Sequence, residues 1–224
     1  MPTALITGAS RGLGAAIARQ LAPTHDLLLG GRASAELDAL ATELSGRPFA
    51  VELTDHDAVA AAAETIATLD VLVHNAGVGS SLSPVAQTPA DEWRHILEVN
   101  LIAAAELTRA LLPALRAGGG HVVFINSGAG IRANPGWAPY AASKFGLRAL
   151  ADTLRAEEPD IRVTSVFPGR IDTDMQRALI EIEGKEYDAS QFLKAETVAS
   201  AVRQAISTPT DAHPTEIVLR PTGR

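Results

Sequence analysis

The sequence predicts an α/β fold, a doubly wound parallel sheet of seven strands with helices on both faces. Three observations carry that expectation. Short β-type runs alternate with longer helical stretches along the whole chain, as they do where helices serve as the crossovers of a parallel sheet. Four runs, Leu27-Leu28-Leu29, Val71-Leu72-Val73, Val122-Val123-Phe124-Ile125 and Ile217-Val218-Leu219, are almost continuously apolar, which suits strands covered on both faces. A glycine-rich turn follows the first run and opens the first helical stretch.

The strands are expected at Ala4–Thr7, Asp26–Gly30, Phe49–Leu53, Val71–Asn75, His121–Asn126, Arg162–Phe167 and Glu216–Leu219. Ala and Leu at helical spacing place the helices at Gly12–Leu21, Ser34–Leu44, Asp57–Ala67, Asp91–Leu112, Tyr140–Ala156 and Thr197–Ser207. Ser34, three residues before Leu37, fits a helix start, and Gly118-Gly119-Gly120 fits a stop before the fifth strand. The stretch from Asp172 to about Lys194, with Met175, Glu181, Glu183, Gly184 and Lys185, is polar and weakly periodic. It follows the sixth strand on the carboxyl edge of the sheet, where substrate lids occur; a lid is expected here, with a solvated helix and loop as the alternative. No linker, repeat or low-complexity tail breaks the pattern, so residues 1–224 are expected to form a single domain.

Composition narrows the functional classes. Hydrophobic residues at 46% and charged residues at 20% exclude intrinsic disorder, and aromatics at 4% leave the core to Ala, Leu, Val and Ile. A net charge of −7 argues against a nucleic-acid surface, which needs a basic stripe to displace counterions. With no cysteine and six histidines lacking ligand spacing, no metal site is expected. Neither a signal peptide nor a membrane span is read, so the expected location is cytoplasmic.

Thr7-Gly8-Ala9-Ser10-Arg11-Gly12-Leu13-Gly14 leads from the first strand into the first helix. A phosphate can sit on the free N–H groups of such a helix start, and glycines remove the side chains that would hold it off. The spacing G-x-x-x-G-x-G, preceded by a strand and followed by an Ala-rich helix, points to dinucleotide binding. Sites selective for NAD place a carboxylate at the end of the second strand to accept from the ribose 2′-hydroxyl. Here Gly30-Gly31-Arg32 stands there instead. Arg32 and Arg11 can fork onto a 2′-phosphate, so NADP(H) is the expected cofactor, with NAD the alternative.

Tyr140-Ala141-Ala142-Ser143-Lys144 sets a tyrosine and a lysine four residues apart, on one face of a helix. An ammonium ~4 Å away at an effective dielectric of ~20 is worth roughly 4 kcal/mol, enough to bring a phenol toward working pH. Ser127 at the end of the fifth strand supplies a donor for a substrate oxygen, and Asn100 interrupts the long helix Asp91–Leu112.

Taken in order, Thr7–Gly14, Asn75-Ala76-Gly77, Asn100, Ser127, Tyr140 with Lys144, and Pro168-Gly169 leading to Thr173 resemble the short-chain dehydrogenase/reductase family over essentially the whole chain. The resemblance implies a Rossmann-type sheet and reversible hydride transfer between a nicotinamide and a carbonyl or alcohol. It implies Tyr140 as general acid or base and Ser127 as the group that polarises the carbonyl. Lys144 would bind the nicotinamide ribose and lower the tyrosine pKa, and Asn100 would hold a water of a proton relay. Gly8, Ser10, Arg11, Gly12, Leu13 and Gly14 would line the phosphates. Arg32, Glu52, Leu53, Asn75, Ala76 and Gly77 would attend the adenosine side, and Pro168, Gly169, Ile171 and Thr173 the nicotinamide amide. Trp137 and Met175, with Val78, Ile171 and Phe192 as further candidates, would face the small-molecule substrate. A homodimer or homotetramer is implied, with helices matching Asp91–Leu112 and Tyr140–Ala156 at the contact. Two departures, His74 for a usual Asn and Glu52 for a usual Asp, fall on the adenosine side. The rival readings are a silent cofactor-binding regulator and an enzyme that epimerises or dehydrates at the same site. The regulator is disfavoured because Asn100, Ser127, Tyr140 and Lys144 are all present.

Overall fold

The computed structural model describes residues 1–222. The first half of the chain contains β1 (Thr3–Ile6), α1 (Gly12–Leu21), β2 (Asp26–Gly31), α2 (Ala35–Leu44), β3 (Arg47–Ala50), α3 (His56–Ala63) and β4 (Val71–His74). The second half adds α4 (Ala90–Leu97), α5 (Ala103–Gly118), β5 (His121–Ile125), α6 (Ala138–Glu157), β6 (Arg162–Pro168), α7 (Asp174–Ile182), α8 (Ala195–Ile206) and β7 (Glu216–Leu219). The strands form one seven-stranded sheet in the order β3-β2-β1-β4-β5-β6-β7, every neighbouring pair parallel. The chain runs outward to β3, then returns to lay β4 on the other side of β1. That reversal opens a crevice at the carboxyl ends of β1 and β4, where folds of this kind bind ligands.

Successive strand residues point to opposite faces, and this divides the core in two. Ala4, Ile6, Leu27, Leu29, Val71, Val73, Val123 and Ile125 pack with α1, α2 and α8. Leu5, Leu28, Leu72, Val122, Phe124 and Val163 pack with α3, α5 and α6. Phe124 and Phe167 are the largest fully buried side chains; aliphatic groups and alanines fill the rest.

Several element boundaries differ from the sequence reading. β3 occupies Arg47–Ala50 instead of Phe49–Leu53, because it is an edge strand in which Pro48, lacking an N–H, costs no ladder bond on its open side. α3 ends at Ala63, and the four residues expected to continue it close in short turns, with Ile66 N–H bonded to Ala63 O at 3.0 Å. The long helix read as Asp91–Leu112 is α4 and α5 joined by a π-type turn at Glu98–Ile102, and it runs on to Gly118. Gly119 ends it in the left-handed region at φ +60°, a conformation that favours glycine.

The stretch from 172 to 194 is more regular than its polarity suggests. It contains α7, which buries Gln176, Leu179 and Ile180 on one stripe; a glutamine in the buried stripe hid the period. Its two ends are tied together, since Leu193 N–H donates to Arg170 O at 2.9 Å and Asp172 N–H donates to Leu193 O at 2.8 Å. Arg170 pairs with Glu183, and the Tyr187 hydroxyl donates to Asp172.

Two buried histidines link the fold to pH. His74 in β4 stacks on Phe124 with ring centroids 4.8 Å apart, and its Nε2 lies 2.8 Å from Thr108 Oγ1. The Thr108 hydroxyl spends its proton on Ala104 O, so His74 donates through Nε2–H as a neutral ring. Its ring therefore sits in the core against α5, which corrects the placement of this residue on the adenosine side. His121 makes the same contact with Thr164, whose hydroxyl donates to Pro214 O. Burial lowers both imidazoles to about 3. In the unfolded chain they titrate near ~6.5. The stability their neutrality provides is therefore complete above that value and is lost as pH falls toward 3, at about 1.4 kcal/mol per pH unit for each ring. His74→Asn should remove one share, making the fall in unfolding free energy between pH 6.5 and 5 shallower by about 2 kcal/mol in urea titrations. An unchanged slope would count against the buried neutral ring.

Candidate active site

The crevice is assembled by one threonine and one asparagine. Thr7, just past β1, takes the N–H groups of Asn75 and Ala76 on Oγ1, each at 3.0 Å. Asn75 returns the contact, its Nδ2 donating to Thr7 O at 3.0 Å and Gly8 O at 3.2 Å. The glycine turn is thereby stapled to the end of β4. Gly8 turns at φ +63°, and a Cβ at Gly14 would stand 2.1 Å from Gly8 O, so the turn closes on α1 only while residue 14 is bare.

Ser34, Asp55 and Thr173 cap α2, α3 and α7 with their side chains, whereas Arg11 at the start of α1 gives no such cap. The starts of α4, α6 and α8 lack a side-chain cap too, but only at α1 do glycines also clear the approach to the first N–H groups, and a helix start of this kind attracts phosphate. This bare, uncapped cradle fits a dinucleotide pyrophosphate, with Ser10, Arg11, Gly12 and Leu13 around it. Thr173 closes it from the other side, its Cγ2 3.5 Å from where a Gly12 Cβ would be.

Arg32 follows β2 and is exposed. Arg11 is also exposed, and its guanidinium lies 3.8 Å from Asp174; the nearby Glu36 carboxyl is held low chiefly by its own backbone N–H and the Ser34 hydroxyl, with Arg11 adding the smallest share. The fold thus sets Arg11 beside the Asp174 carboxylate at the start of α7, with Glu36 at the start of α2 also in its neighbourhood. Glu52 is exposed and accepts from the Thr54 hydroxyl at 3.2 Å, while Leu53 is half-buried against the core on the α3 side.

Asn100 sits in the π-type turn and is 2% exposed. Its Oδ1 accepts from Val78 N–H at 2.8 Å, and its Nδ2 donates to Val78 O at 3.0 Å and to Ser143 Oγ at 3.1 Å. Both donors and one of the two acceptor positions of the side chain are taken by protein, which holds the Gly77-Val78 loop against α6. Ser143 in turn donates to Tyr140 O at 2.7 Å. An extra residue in a helix commonly marks such a site, because it rotates one side chain out of the regular stripe.

Tyr140 and Lys144 share one face of α6, with Lys144 Nζ 5.7 Å from the phenol ring centroid. Lys144 is 5% exposed and donates from Nζ to Ile125 O at 3.0 Å. Burial pushes the Tyr140 phenol up, with only the Ser127 hydroxyl beside it pulling the other way. This reverses the expectation of a lowered phenol. Desolvation acts on the lysine as well, taking it down to about 8, so the pair does not behave as two charges in a well-solvated medium. A phenol that keeps its proton at neutral pH is a proton donor.

Trp137 meets Tyr140 edge-on with ring centroids 5.5 Å apart, and Arg170 lies over the Trp137 ring at 5.6 Å. Met175 is partly exposed, its Cγ 3.9 Å from the position of a Gly79 Cβ. Phe192 instead packs on Tyr187, at 5.2 Å between centroids. Pro168 ends β6, Gly169 N–H donates to Leu219 O at 2.8 Å, and Ile171 bridges to Leu193. The structure thus brings the glycine turn, the Asn75–Gly77 loop, Ser127, Tyr140, Lys144 and Thr173 to one edge of the sheet.

Sequence reasoning missed Asn126, Ser80 and Gln176. Asn126 is 3% exposed and bonded to the flanks of both Ser127 and Lys144. Among the described residues, Ser80 Oγ and Gln176 Nε2 are buried without a hydrogen-bond partner, on the loop and the helix that meet at Gly79 and Leu179. Polar residues in otherwise apolar or loop segments were the only signal available.

The profile of the family described as short chain dehydrogenase matches residues 2–184. The chain belongs to this short-chain dehydrogenase family. It is 39% identical over 194 residues to the trans-4-hydroxycyclohexanecarboxylate dehydrogenase of Sinomonas cyclohexanicum, covering 79% of this chain and 74% of that one. An uncharacterized short-chain type dehydrogenase/reductase of Sinorhizobium fredii is 33% identical over 99% of this chain and 92% of its own length. Among solved structures, the alcohol dehydrogenase of the archaeon Thermococcus sibiricus complexed with 5-hydroxy-NADP superposes with a TM-score of 0.90 at 30% identity, covering 100% of this chain and 98% of that one. A metagenomic short-chain oxidoreductase in complex with NADP gives 0.83 at 32% identity with the same coverage. This short-chain dehydrogenase is therefore an oxidoreductase acting on alcohol or carbonyl groups. Among the described residues no helix is long and apolar enough to cross a membrane.

Proposed function

We propose that this short-chain dehydrogenase is an NADP(H)-dependent reductase of a ketone or aldehyde. The observation that carries the reading is a half-buried, proton-retaining Tyr140 beside the Ser127 hydroxyl and Lys144, at the carboxyl edge next to the glycine cradle. When bound, the nicotinamide supplies the hydride in reduction and accepts it in oxidation. The Ser127 hydroxyl donates to the substrate oxygen and polarises the carbonyl. Tyr140 delivers its proton to that oxygen as the alcohol forms. Lys144 has two N–H donors beyond the one held by Ile125 O, and these serve the nicotinamide ribose. Asn100 holds α6 and the Gly77-Val78 loop at a fixed spacing.

Gly8, Ser10, Arg11, Gly12, Leu13 and Gly14 would hold the phosphates, with Asn75, Ala76, Gly77, Glu52 and Leu53 on the adenosine side. Pro168, Gly169, Ile171 and Thr173 would hold the amide, and Trp137 and Met175 the substrate. NADP in the described relatives supports the cofactor assignment, as do Arg11 and Arg32. Two chains would pair through α5 and α6, whose neighbourhood exposes Ile102 and Phe145.

The test is NADPH absorbance with a panel of ketones, aldehydes, sugars and 3-oxoacyl esters; consumption with at least one class is expected. Arg32→Asp should shift preference from NADPH toward NADH by about tenfold or more, the worth of one charge-assisted contact. An unchanged ratio would remove Arg32 from the site. The segment 172–194 is proposed as a lid, and NADPH should protect it from limited proteolysis; equal cutting with and without NADPH would mark a static cover.

A further inference from the structure

We propose that Asn126 is a positioning residue, clamping the carboxyl end of β5 to α6 so that Ser127 and Lys144 stand at a fixed spacing. The proposal rests on reading Ser127, Tyr140 and Lys144 as the reacting group, and it adds the part that holds them in register.

The Asn126 amide works in two directions. Its Nδ2 donates to the main-chain oxygen of Lys144 at 3.0 Å, and its Oδ1 accepts from Ser127 N–H at 2.8 Å. Its own N–H donates to Val166 O at 2.8 Å, which anchors the clamp to β6. One residue earlier, Ile125 O accepts from Lys144 Nζ at 3.0 Å. Lys144 is therefore gripped at its backbone and at its ammonium by consecutive residues of the same strand end.

The residue type follows from this geometry. A donor and an acceptor must project from one short planar group. Aspartate offers two acceptors and would face the Lys144 carbonyl with a negative charge; serine is too short to span both partners. The neighbouring turn is shaped to match, since a Cβ at Gly130 would stand 2.3 Å from Asn126 Oδ1 and 2.8 Å from Lys144 O. Everything in the clamp is dry: Asn126 is 3% exposed and Lys144 5%. A clamp that slackens lets water reach the ammonium, which then titrates higher, toward ordinary lysine.

Two variants and one signal test this. Asn126→Ala releases both arms, and Asn126→Ser, uncharged and too short to span both partners, cannot keep both. The chain has only Lys144, Lys185 and Lys194, so lysine labelled with 13C at Cε gives few resonances, and Lys144→Arg assigns the one of interest. In both variants its titration midpoint is expected to rise from about 8 toward the ordinary ~10.4. The kcat for NADPH-dependent reduction is expected to fall by about 10²-fold, as small misplacements of reacting groups do, with the NADPH dissociation constant near wild type. If Asn126→Ala does not fold, Asn126→Ser decides. A folded variant that loses melting temperature while the Lys144 midpoint stays at the wild-type value overturns the proposal, since a residue that only supports the fold would behave in that way. A wild-type protein that turns over no carbonyl or alcohol defeats the redox reading alone, and the lysine signal still decides the clamp.

Discussion

Tyr140→Phe is expected to bind NADPH as the wild type does and to lose carbonyl reduction by about 10²–10⁴-fold, the usual worth of a positioned general acid. The substitution removes one oxygen and leaves the ring, so the edge-on contact with Trp137 at 5.5 Å and the packing beside Lys144 persist. What disappears is the proton for the substrate oxygen and the partner of the Ser127 hydroxyl. Because burial raises the phenol, the wild-type reduction rate should hold through neutral pH and fall only when alkaline conditions strip the proton. Stopped-flow traces of NADPH binding and turnover separate the two effects. Retained turnover in the phenylalanine variant would remove Tyr140 from proton transfer.

Gly14→Ala is expected to cost about 3 kcal/mol of unfolding free energy and to abolish NADPH binding, the upper range of overpacking penalties. The added methyl group would stand 2.1 Å from Gly8 O and 2.6 Å from Asn75 Nδ2. Neither neighbour is a flexible side-chain end free to swing away: Gly8 is held in a left-handed turn, and Asn75 Nδ2 is committed to Thr7 O and Gly8 O. The helix propensity gained by alanine, about 1 kcal/mol, does not offset that clash. Gly31→Ala is the control, because its nearest neighbours are Leu37 side-chain carbons at 3.6 and 3.7 Å, an ordinary contact. Urea unfolding and NADPH fluorescence should set the two variants far apart; equal behaviour would show that the turn yields more easily than its hydrogen bonds imply.

The local pattern along the chain carried much of the fold. The apolar runs of β2, β4 and β5 could be read because both faces of these strands are covered and every residue is under the same constraint. β3 was misplaced because an edge strand is not: Pro48 is permitted there, and Arg47 lies in it exposed. α7 was read as weakly periodic because Gln176 occupies a position in its buried stripe, where a sequence reader looks for a hydrocarbon.

The candidate site divides in the same way. Glycines, Tyr140 and Lys144 were legible because their chemistry depends on short-range spacing: a turn into a helix start, and two residues one helical turn apart. Asn126 was not, since its role depends on a contact with Lys144, which the chain reaches only after the turn at Gly128–Gly130 and the start of α6. The carboxylates of Glu36 and Asp174 near Arg11 were missed for the same reason, as they come from the starts of two different helices.

By itself, then, the sequence determined the alternation that makes a parallel sheet, the glycine turn and the tyrosine–lysine pair, all of which are set by neighbours within one or two turns of chain. Tertiary structure alone decided the protonation of Tyr140 and the surroundings of Arg11 and Lys144. Those depend on desolvation and on charges brought together from distant segments, and neither exists until the sheet has formed and its helices have closed over it.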